Sequence, residues 1–228
     1  MKLVLDIELE CLGPATTIAD MEALCRDAVA SSVTAVCVPP MFVKKAKELL
    51  AGTSVKVATV IGFPYGYHAI ESKLSETVLA IVDGADELNV MINLLAVKNK
   101  DWEYLAKEIN HILSVVRKSG KKIKMIIEAG LMTDAEIITC CDIYGAAGVD
   151  FIQVSTGVAG VKVDIQVLKL IRTHLADTVQ LKMEVADHVV GDLVTAGVNR
   201  ISADYKTDYS TLSLLSGTVF EKELPAKN

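Results

Sequence analysis

Short apolar segments rich in β-branched residues alternate along the chain with longer amphipathic segments. Continuous apolar segments suit strands buried on both faces of a parallel sheet, and amphipathic ones suit the helices that cover it. The predicted strands are residues 3–9, 33–38, 55–61, 87–92, 123–129, 150–155, 179–184 and 198–203. The predicted helices are residues 17–31, 41–51, 69–83, 101–118, 133–146, 163–175 and 187–196.

The alternation of eight predicted strands with helices within 228 residues indicates the fold class. It predicts an α/β protein with a closed (β/α)8 TIM barrel, and an open doubly wound sheet is the alternative. No linker, low-complexity tract or block of like charges divides the chain, so residues 1–228 are predicted to form a single domain. Residues 217–228, GTVFEKELPAKN, are predicted to be a C-terminal tail.

Composition and charge exclude several classes of protein. The formal net charge of −6 argues against nucleic acid or an anionic membrane as a partner. No apolar run approaches the ~20 residues of a membrane span, and MKLVLDIELE lacks the apolar core of a secretory signal. The five cysteines show no CxxC spacing, which argues against a disulfide framework or a zinc site. We therefore expect a cytoplasmic protein without metal or cofactor that binds a small molecule, and a homo-oligomer is left open.

In a TIM barrel the chemistry lies where the strands end and the βα loops begin. Lys182 stands at such an end and is the strongest candidate for a catalytic group. A desolvated lysine can lose its proton and act as a nucleophile. The favoured interpretation is a charged, structural lysine paired with Glu128, Glu184 or Asp204, since these carboxylates would raise its pKa. Glu184 and Asp204 are themselves candidates for a general base, unless they face solvent on the loops.

Other polar residues at the predicted strand ends are candidates for ligand contacts, since polar side chains inside a barrel are costly unless paired. The alternative for each is a structural or rim position, and Ser155 and Thr156 also suit the end of a strand. These candidates are Glu8, Glu128, Ser155, Thr156, Tyr205 and Lys206.

Several phrases of the sequence are long enough to be specific. They are AVCVPPMFV (35–43), VKVATVIGFPYG (55–66), GADELNVMIN (84–93), IIEAGLMTDAEI (126–137), AGVDFIQVSTG (147–157) and LKMEV (181–185). In these phrases the chain resembles the deoxyribose-phosphate aldolase family over residues 15–200. The resemblance implies a (β/α)8 barrel that cleaves 2-deoxy-D-ribose 5-phosphate to glyceraldehyde 3-phosphate and acetaldehyde through a lysine Schiff base.

The resemblance also implies roles for particular positions, and this sequence departs from most of them. The family has the Schiff-base lysine at the position of Gln153 and a proton-transferring aspartate at the position of Asn89. An amide can neither form an imine nor carry a proton at ordinary pH. Lys182 matches a second lysine of the family, which helps to keep the first one partly neutral.

The turns that hold the substrate phosphate in the family are also altered. They correspond to residues 183–189 and 202–209, which here contain the carboxylates Glu184, Asp187, Asp204 and Asp208. Carboxylates at these places oppose the binding of a phosphate dianion.

Three functions follow as hypotheses. In the first, which we expect, the barrel is retained while its pocket is repurposed to bind a small molecule, without ordinary aldolase activity. In the second, the chain is an enzyme of changed chemistry that uses Lys182 as an amine or in a Glu/Lys pair. In the third, it is a deoxyribose-phosphate aldolase that uses Lys182 alone.

Overall fold

The computed structural model describes residues 2–185, 188–206 and 219–221. Within these residues, eight parallel strands close into a barrel in the order β2-β3-β4-β5-β6-β7-β8-β9, which confirms the predicted (β/α)8 TIM barrel. The strands are β1 Lys2–Val4, β2 Asp6–Glu10, β3 Ala35–Val38, β4 Lys56–Ile61, β5 Glu87–Met91, β6 Lys122–Ile126, β7 Phe151–Gln153, β8 Gln180–Glu184, β9 Arg200–Asp204 and β10 Val219–Glu221.

The described helices surround the barrel and include each of the predicted ones. They are α1 Ile18–Ala30, α2 Val43–Leu49, α3 Ile70–Val82, α4 Leu94–Lys98, α5 Trp102–Lys118, α6 Asp134–Ala147, α7 Ile165–His174 and α8 Val190–Thr195. Two 3-10 helices, Pro40–Phe42 and Ala129–Leu131, and the short α4 were not predicted. Helix α4 is too short for a periodic pattern, and its N-cap Asn93 stabilises it by accepting hydrogen bonds from Leu95 N and Ala96 N.

Capping residues mark where helices α1 and α6 begin and where α6 ends. Thr17 and Thr133 form capping boxes with Asp20 and Glu136, respectively, at the starts of α1 and α6. Gly148 ends α6 at a φ of 75°, a left-handed conformation that glycine adopts without strain. Trp102 begins α5 and packs against the hydrophobic core.

The first predicted strand, residues 3–9, is divided in the structure into β1 and β2. Strand β2 belongs to the barrel, whereas β1 pairs antiparallel with β10, with Leu3 opposite Phe220. Strand β10 falls inside the predicted tail, of which residues 217–218 and 222–228 lie outside the described residues. Length and apolar character alone could not show where one strand ended and the next began.

The structure also bears on the membrane spans and disulfides considered in the sequence analysis. Among the described residues, no helix combines the length and the apolar character needed to cross a bilayer. All five cysteines are buried free thiols.

Candidate active site in the barrel lumen

The lumen of the barrel contains a buried network of charged side chains. Three carboxylates and three cations from β2, β5, β6, β8 and β9 meet there, and each residue is at most 7% exposed. They are Glu8, Glu10, Glu87, Lys124, Lys182 and Arg200. The equal number of positive and negative groups lets each charge find a partner, which burial requires.

Lys182 lies at the centre of this network. Its Nζ donates to Glu8 Oε1 at 2.5 Å and to Glu10 Oε1 at 2.6 Å. Burial alone would lower the pKa of Lys182, but the carboxylates of Glu10 and Glu8 outweigh it and raise that pKa above its ordinary value. The expectation of a paired lysine is therefore met, but the predicted partners were wrong. The partners are two carboxylates of β2 and not Glu128, Glu184 or Asp204.

Glu8 serves all three cations of the network. Its carboxylate accepts from Lys124 Nζ at 2.7 Å, from Lys182 and from Arg200 Nη1 at 3.2 Å. Burial would raise the pKa of Glu8, but the charges of Lys124, Lys182 and Arg200 prevail and hold it well below its usual range. Glu8 is 0% exposed and ionised, so its carboxylate stabilises the lumen.

The floor of the lumen is formed by Glu87, Arg200 and Phe151. Glu87 Oε2 accepts from Arg200 Nη1 at 2.5 Å and lies 2.6 Å from Lys124 Nζ. The guanidinium carbon of Arg200 stands 4.6 Å from the centroid of the Phe151 ring, within the range of a cation–π contact. Because Phe151 faces the lumen, the alternation of side chains along β7 turns Gln153 inward as well.

Gln153 and Asn89 each bind the protein through the amide nitrogen. Gln153 Nε2 donates to the carbonyl oxygen of Ser155 at 2.9 Å, and Asn89 Nδ2 lies 3.3 Å from Glu8 Oε1. A carbonyl or carboxylate oxygen only accepts, so these contacts fix the orientation of both amides. No described residue offers a partner to the buried Gln153 Oε1 or Asn89 Oδ1.

Three of the predicted ligand-contact candidates, Glu128, Ser155 and Thr156, come together at the end of β7. Glu128 Oε1 accepts from Ser155 Oγ at 2.8 Å, and Glu128 Oε2 accepts from Thr156 N at 3.0 Å and from Thr156 Oγ1. The backbone N–H of Gly157 donates to Ser155 Oγ at 3.0 Å. The donors of this loop are thus satisfied by the protein itself, and a role in ligand binding stays a prediction.

A cleft of about 690 Å³ opens beside this loop. Glu184 lines it next to Gly157, and a Cβ atom at position 157 would lie only 2.5 Å from Glu184 Oε2. The lining residues are Ser155, Gly157, Gly160, Val161, Lys162, Val163, Asp164, Ile165, Met183, Glu184 and His188. Of the predicted catalytic candidates, Glu184 therefore lies at the mouth and Lys182 below it in the lumen.

The candidates at the end of β9 are directed elsewhere. Tyr205 Oη donates to Asp27 at 2.6 Å, and Lys206 Nζ donates to Asp20 at 2.9 Å. Both carboxylates belong to helix α1, so these contacts do not bring Tyr205 and Lys206 to Lys182. Asp204 accepts from the backbone N–H of Lys206 at 2.9 Å, an interaction that shapes the turn.

Two carboxylates of the predicted phosphate-opposing group, Asp187 and Asp208, lie outside the described residues. The two turns 183–189 and 202–209 are accordingly described only over 183–185, 188–189 and 202–206.

Sequence reasoning missed four of the six members of the network, Glu10, Glu87, Lys124 and Arg200, and also the neighbouring Cys37. The signal was present as charged residues at alternate positions of apolar strands, as in Glu8 and Glu10. The ligand atoms of Glu8, Glu10 and Cys37 lie within 4.8 Å of one another, close enough to hold a metal ion. The ammonium of Lys182 already binds both carboxylates, and burial with the charges of Glu8 and Glu10 raises the pKa of Cys37, which disfavours the thiolate. These residues therefore do not suit a metal.

The closed barrel, with lysines and carboxylates buried inside it, defines a TIM-barrel protein with a charged lumen. The family model described as "DeoC/LacD family aldolase" matches residues 4–199. The chain belongs to this family of aldolases, which confirms the resemblance found in the sequence.

Individual relatives agree with the family assignment. The deoxyribose-phosphate aldolase of Clostridioides difficile is 37% identical over 193 residues, covering 83% of this chain and 87% of the relative. That of Aciduliprofundum boonei is 34% identical over 200 residues, covering 86% and 90%. A solved structure described as the unique tetrameric structure of deoxyribose phosphate aldolase from Aeropyrum pernix has a TM-score of 0.80 and 27% identity, covering 90% of each chain.

Proposed function

We propose that this chain is a small-molecule-binding barrel of the aldolase family whose lumen is not arranged for Schiff-base chemistry. One observation carries the proposal: Lys182 is completely buried between Glu8 and Glu10, while Gln153 is its neighbour on β7. The position at which the resemblance implies the Schiff-base lysine therefore holds an amide, and the adjacent lysine is an ammonium ion.

The chemistry of imine formation explains why this arrangement matters. The attacking group must be a neutral amine, and a lysine reaches that state when desolvation or a neighbouring cation lowers its pKa. Lys182 experiences the opposite influence from its two carboxylates, which raise its pKa. Lys124, the other buried lysine of the described lumen, lies 2.7 Å from Glu8 and 2.6 Å from Glu87.

A second candidate function is deoxyribose-phosphate aldolase activity with Lys182 as the amine. The names of the relatives favour this candidate over the first, since they cover most of this chain at 33–37% identity. It requires that the substrate releases Lys182 from Glu8 and Glu10. A related version would use Lys182 with Glu184 or Asp204 for proton transfer alone.

Chemical trapping separates these candidates. The protein is incubated with acetaldehyde or with 2-deoxy-D-ribose 5-phosphate, reduced with borohydride, and weighed intact by mass spectrometry before peptide mapping. We expect no adduct on Lys182, because its amine is protonated and enclosed. An adduct mapped to Lys182 would overturn the proposal, and turnover of the sugar phosphate would establish the second candidate.

Two variants serve as controls for the trapping experiment. Lys182→Arg keeps the positive charge between Glu8 and Glu10 and cannot form an imine, so it should behave like the wild-type chain. Gln153→Lys combined with Asn89→Asp restores both groups that the resemblance implies. We expect this double variant to form an adduct at position 153, since Lys182 next to it disfavours a second ammonium.

We also infer that the chain is one domain, works in the cytoplasm and assembles as a homo-oligomer. The support for assembly is the tetrameric relative from Aeropyrum pernix. Light scattering coupled to size-exclusion chromatography tests the assembly, and a monomeric mass would contradict it.

A further inference from the structure

We propose that the outer surface of helices α2 and α3 is the interface through which this chain binds a second copy of itself. The inference rests on the homo-oligomer inferred above and names the surface that the assembly uses. We call this surface the α2–α3 face. It is defined by four exposed apolar side chains, Leu49 on α2 and Val78, Leu79 and Val82 on α3.

The α2–α3 face exposes several large apolar side chains close together. Val82 is 77% exposed, Leu79 64% and Val78 42%, and all three lie within the last five residues of α3. Val82 is three residues after Leu79 and four after Val78, so the three side chains share one side of the helix. Single exposed apolar residues are normal on a protein surface, whereas a cluster of them marks an interaction site.

The two helices are neighbours at their C-terminal ends. A Cβ atom at Gly84, just after α3, would lie 2.9 Å from the side chain of Lys47 on α2. Lys47 also reaches Asp86, with Nζ 2.7 Å from Oδ2. The ends of the helices, which carry Leu49 and Val82, therefore belong to one surface.

The centre of the face is uncharged at its exposed positions. Beyond Glu71, the exposed side chains along α3 are two serines and the three apolar residues of the face. Protein–protein interfaces have this composition, with apolar residues at the centre and charged residues at the rim. The spacing along α3 also gives a ridge that can pack into the grooves of another helix.

The charges around the face explain why a second copy suits it. The exposed or partly exposed charged side chains of α2 are three lysines and one glutamate, whereas those of α3 and its C-cap are carboxylates only. They are Lys44, Lys45, Lys47 and Glu48 on α2, and Glu71, Glu76 and Asp83 on α3.

A two-fold axis that runs between the two helices and parallel to them places α2 of each copy opposite α3 of the other. One dimer then contains the contact between basic α2 and acidic α3 twice, since a two-fold interface uses the same patch on both copies. The apolar side chains of both copies are covered in the same contact. An unrelated partner of one charge sign would match only one of the two helices, so complementary charge favours a second copy of this chain.

Light scattering coupled to size-exclusion chromatography, over a dilution series of the full chain, tests the inference. We expect the wild type to have at least twice the chain mass of 24.5 kDa. Leu79→Asp and Val82→Asp should each raise the dissociation constant at least about tenfold, because a charge replaces an apolar group at the centre of the contact. Leu95→Asp on α4, where Leu95 is 59% exposed, is the matched control and should leave the dissociation constant unchanged. Circular dichroism checks that each variant is folded.

A charge swap tests the placement of α2 opposite α3. Lys44→Glu should raise the dissociation constant about threefold or more at low salt, because it brings a carboxylate to the carboxylates of α3. Combining Lys44→Glu with Asp83→Lys should recover most of this loss, since opposite charges again face each other. The differences should disappear in 1 M salt, where the Debye length is about 3 Å. A double variant as weak as Lys44→Glu alone would overturn this placement.

The results separate the inference from the proposals on which it rests. A monomeric wild type would overturn both the homo-oligomer and the interface. An oligomeric wild type whose mass and dissociation constant are unchanged in Leu79→Asp and Val82→Asp would overturn the interface alone. Trapping on Lys182 tests the function of the lumen independently, because Lys182 is buried inside the barrel and the α2–α3 face lies outside it.

Discussion

Two buried charged sites of this protein carry similar groups and behave in opposite ways. The first is the network in the lumen, and the second is the pair of Lys73 on α3 with Glu108 on α5, whose side chains are both 0% exposed. In the lumen the pKa of Glu8 lies well below its usual range and that of Lys182 is raised. In the pair, burial raises the pKa of Glu108 and lowers that of Lys73.

The number of opposite charges around each group explains the difference. Glu8 has three cations within hydrogen-bonding distance, and Lys182 has two carboxylates. Lys73 has one carboxylate at 2.7 Å and the Met91 carbonyl at the same distance, and no described residue offers a partner to Glu108 Oε2. One opposite charge does not offset desolvation here, whereas several do. Glu8 and Lys182 are thus held in their charged forms, and the helix pair is biased towards neutrality.

The largest effect should follow from removing the common partner of the lumen cations. Glu8→Gln leaves Lys124, Lys182 and Arg200 with one carboxylate fewer, and we expect a loss of about 3–5 kcal/mol in the free energy of unfolding. Urea denaturation followed by circular dichroism measures this loss. Glu71→Gln, at an exposed position of α3, is the matched control and should change stability by less than about 0.5 kcal/mol.

The pH dependence of the stability difference between the wild type and Glu8→Gln gives a sharper test. The pKa of Glu8 is lower in the folded than in the unfolded chain. Its contribution to the free energy of unfolding is therefore complete above the ordinary carboxyl pKa of about 4.3, and it is lost as the pH falls through the folded-state pKa. The stability gap between wild type and Glu8→Gln should therefore be constant from pH ~7 to ~5 and narrow on further acidification. A gap that widens in acid would contradict the assignment of Glu8 as an ionised partner.

A smaller effect is expected for the helix pair. Lys73→Met or Glu108→Leu alone should cost about 2–3 kcal/mol, since the remaining group can become neutral at moderate cost. The double variant should return to within about 1 kcal/mol of the wild type, because two apolar side chains of similar size replace a poorly compensated ion pair. A double-mutant cycle in urea measures the coupling, and a double variant as unstable as the sum of both singles would show that the comparison is mistaken.

The smallest effect should come from an exposed pair. Lys98 Nζ lies 2.7 Å from Glu136 Oε2, but the Lys98 side chain is 42% exposed, so solvent screens the attraction. Lys98→Ala should change stability by less than about 1 kcal/mol in the same denaturation assay. A larger loss would mean that proximity alone, without burial or multiple partners, sets the strength of ion pairs in this fold.

The fold could be predicted because each strand and helix carries its own local pattern of apolar residues. The partners of Lys182 could not, because Glu8 and Glu10 are 174 and 172 residues away and meet it only when the barrel closes. Glu128, Ser155 and Thr156 gather because they follow neighbouring strands, β6 and β7, and their role as ligand contacts stays a prediction.

Helical periodicity likewise could not show that Lys73 faces inward. A lysine on an amphipathic helix is normally exposed, and its burial depends on a glutamate from a helix that begins 29 residues later. Tyr205 and Lys206 were placed with the site because they follow a barrel strand, but their contacts with α1 depend on the tertiary arrangement.

The position of Trp102 at the start of α5 has an experimental consequence. It is the sole tryptophan of the chain and lies six residues before Glu108 on the same helix, about 9 Å along the axis. Its fluorescence should therefore respond to changes around the helix pair.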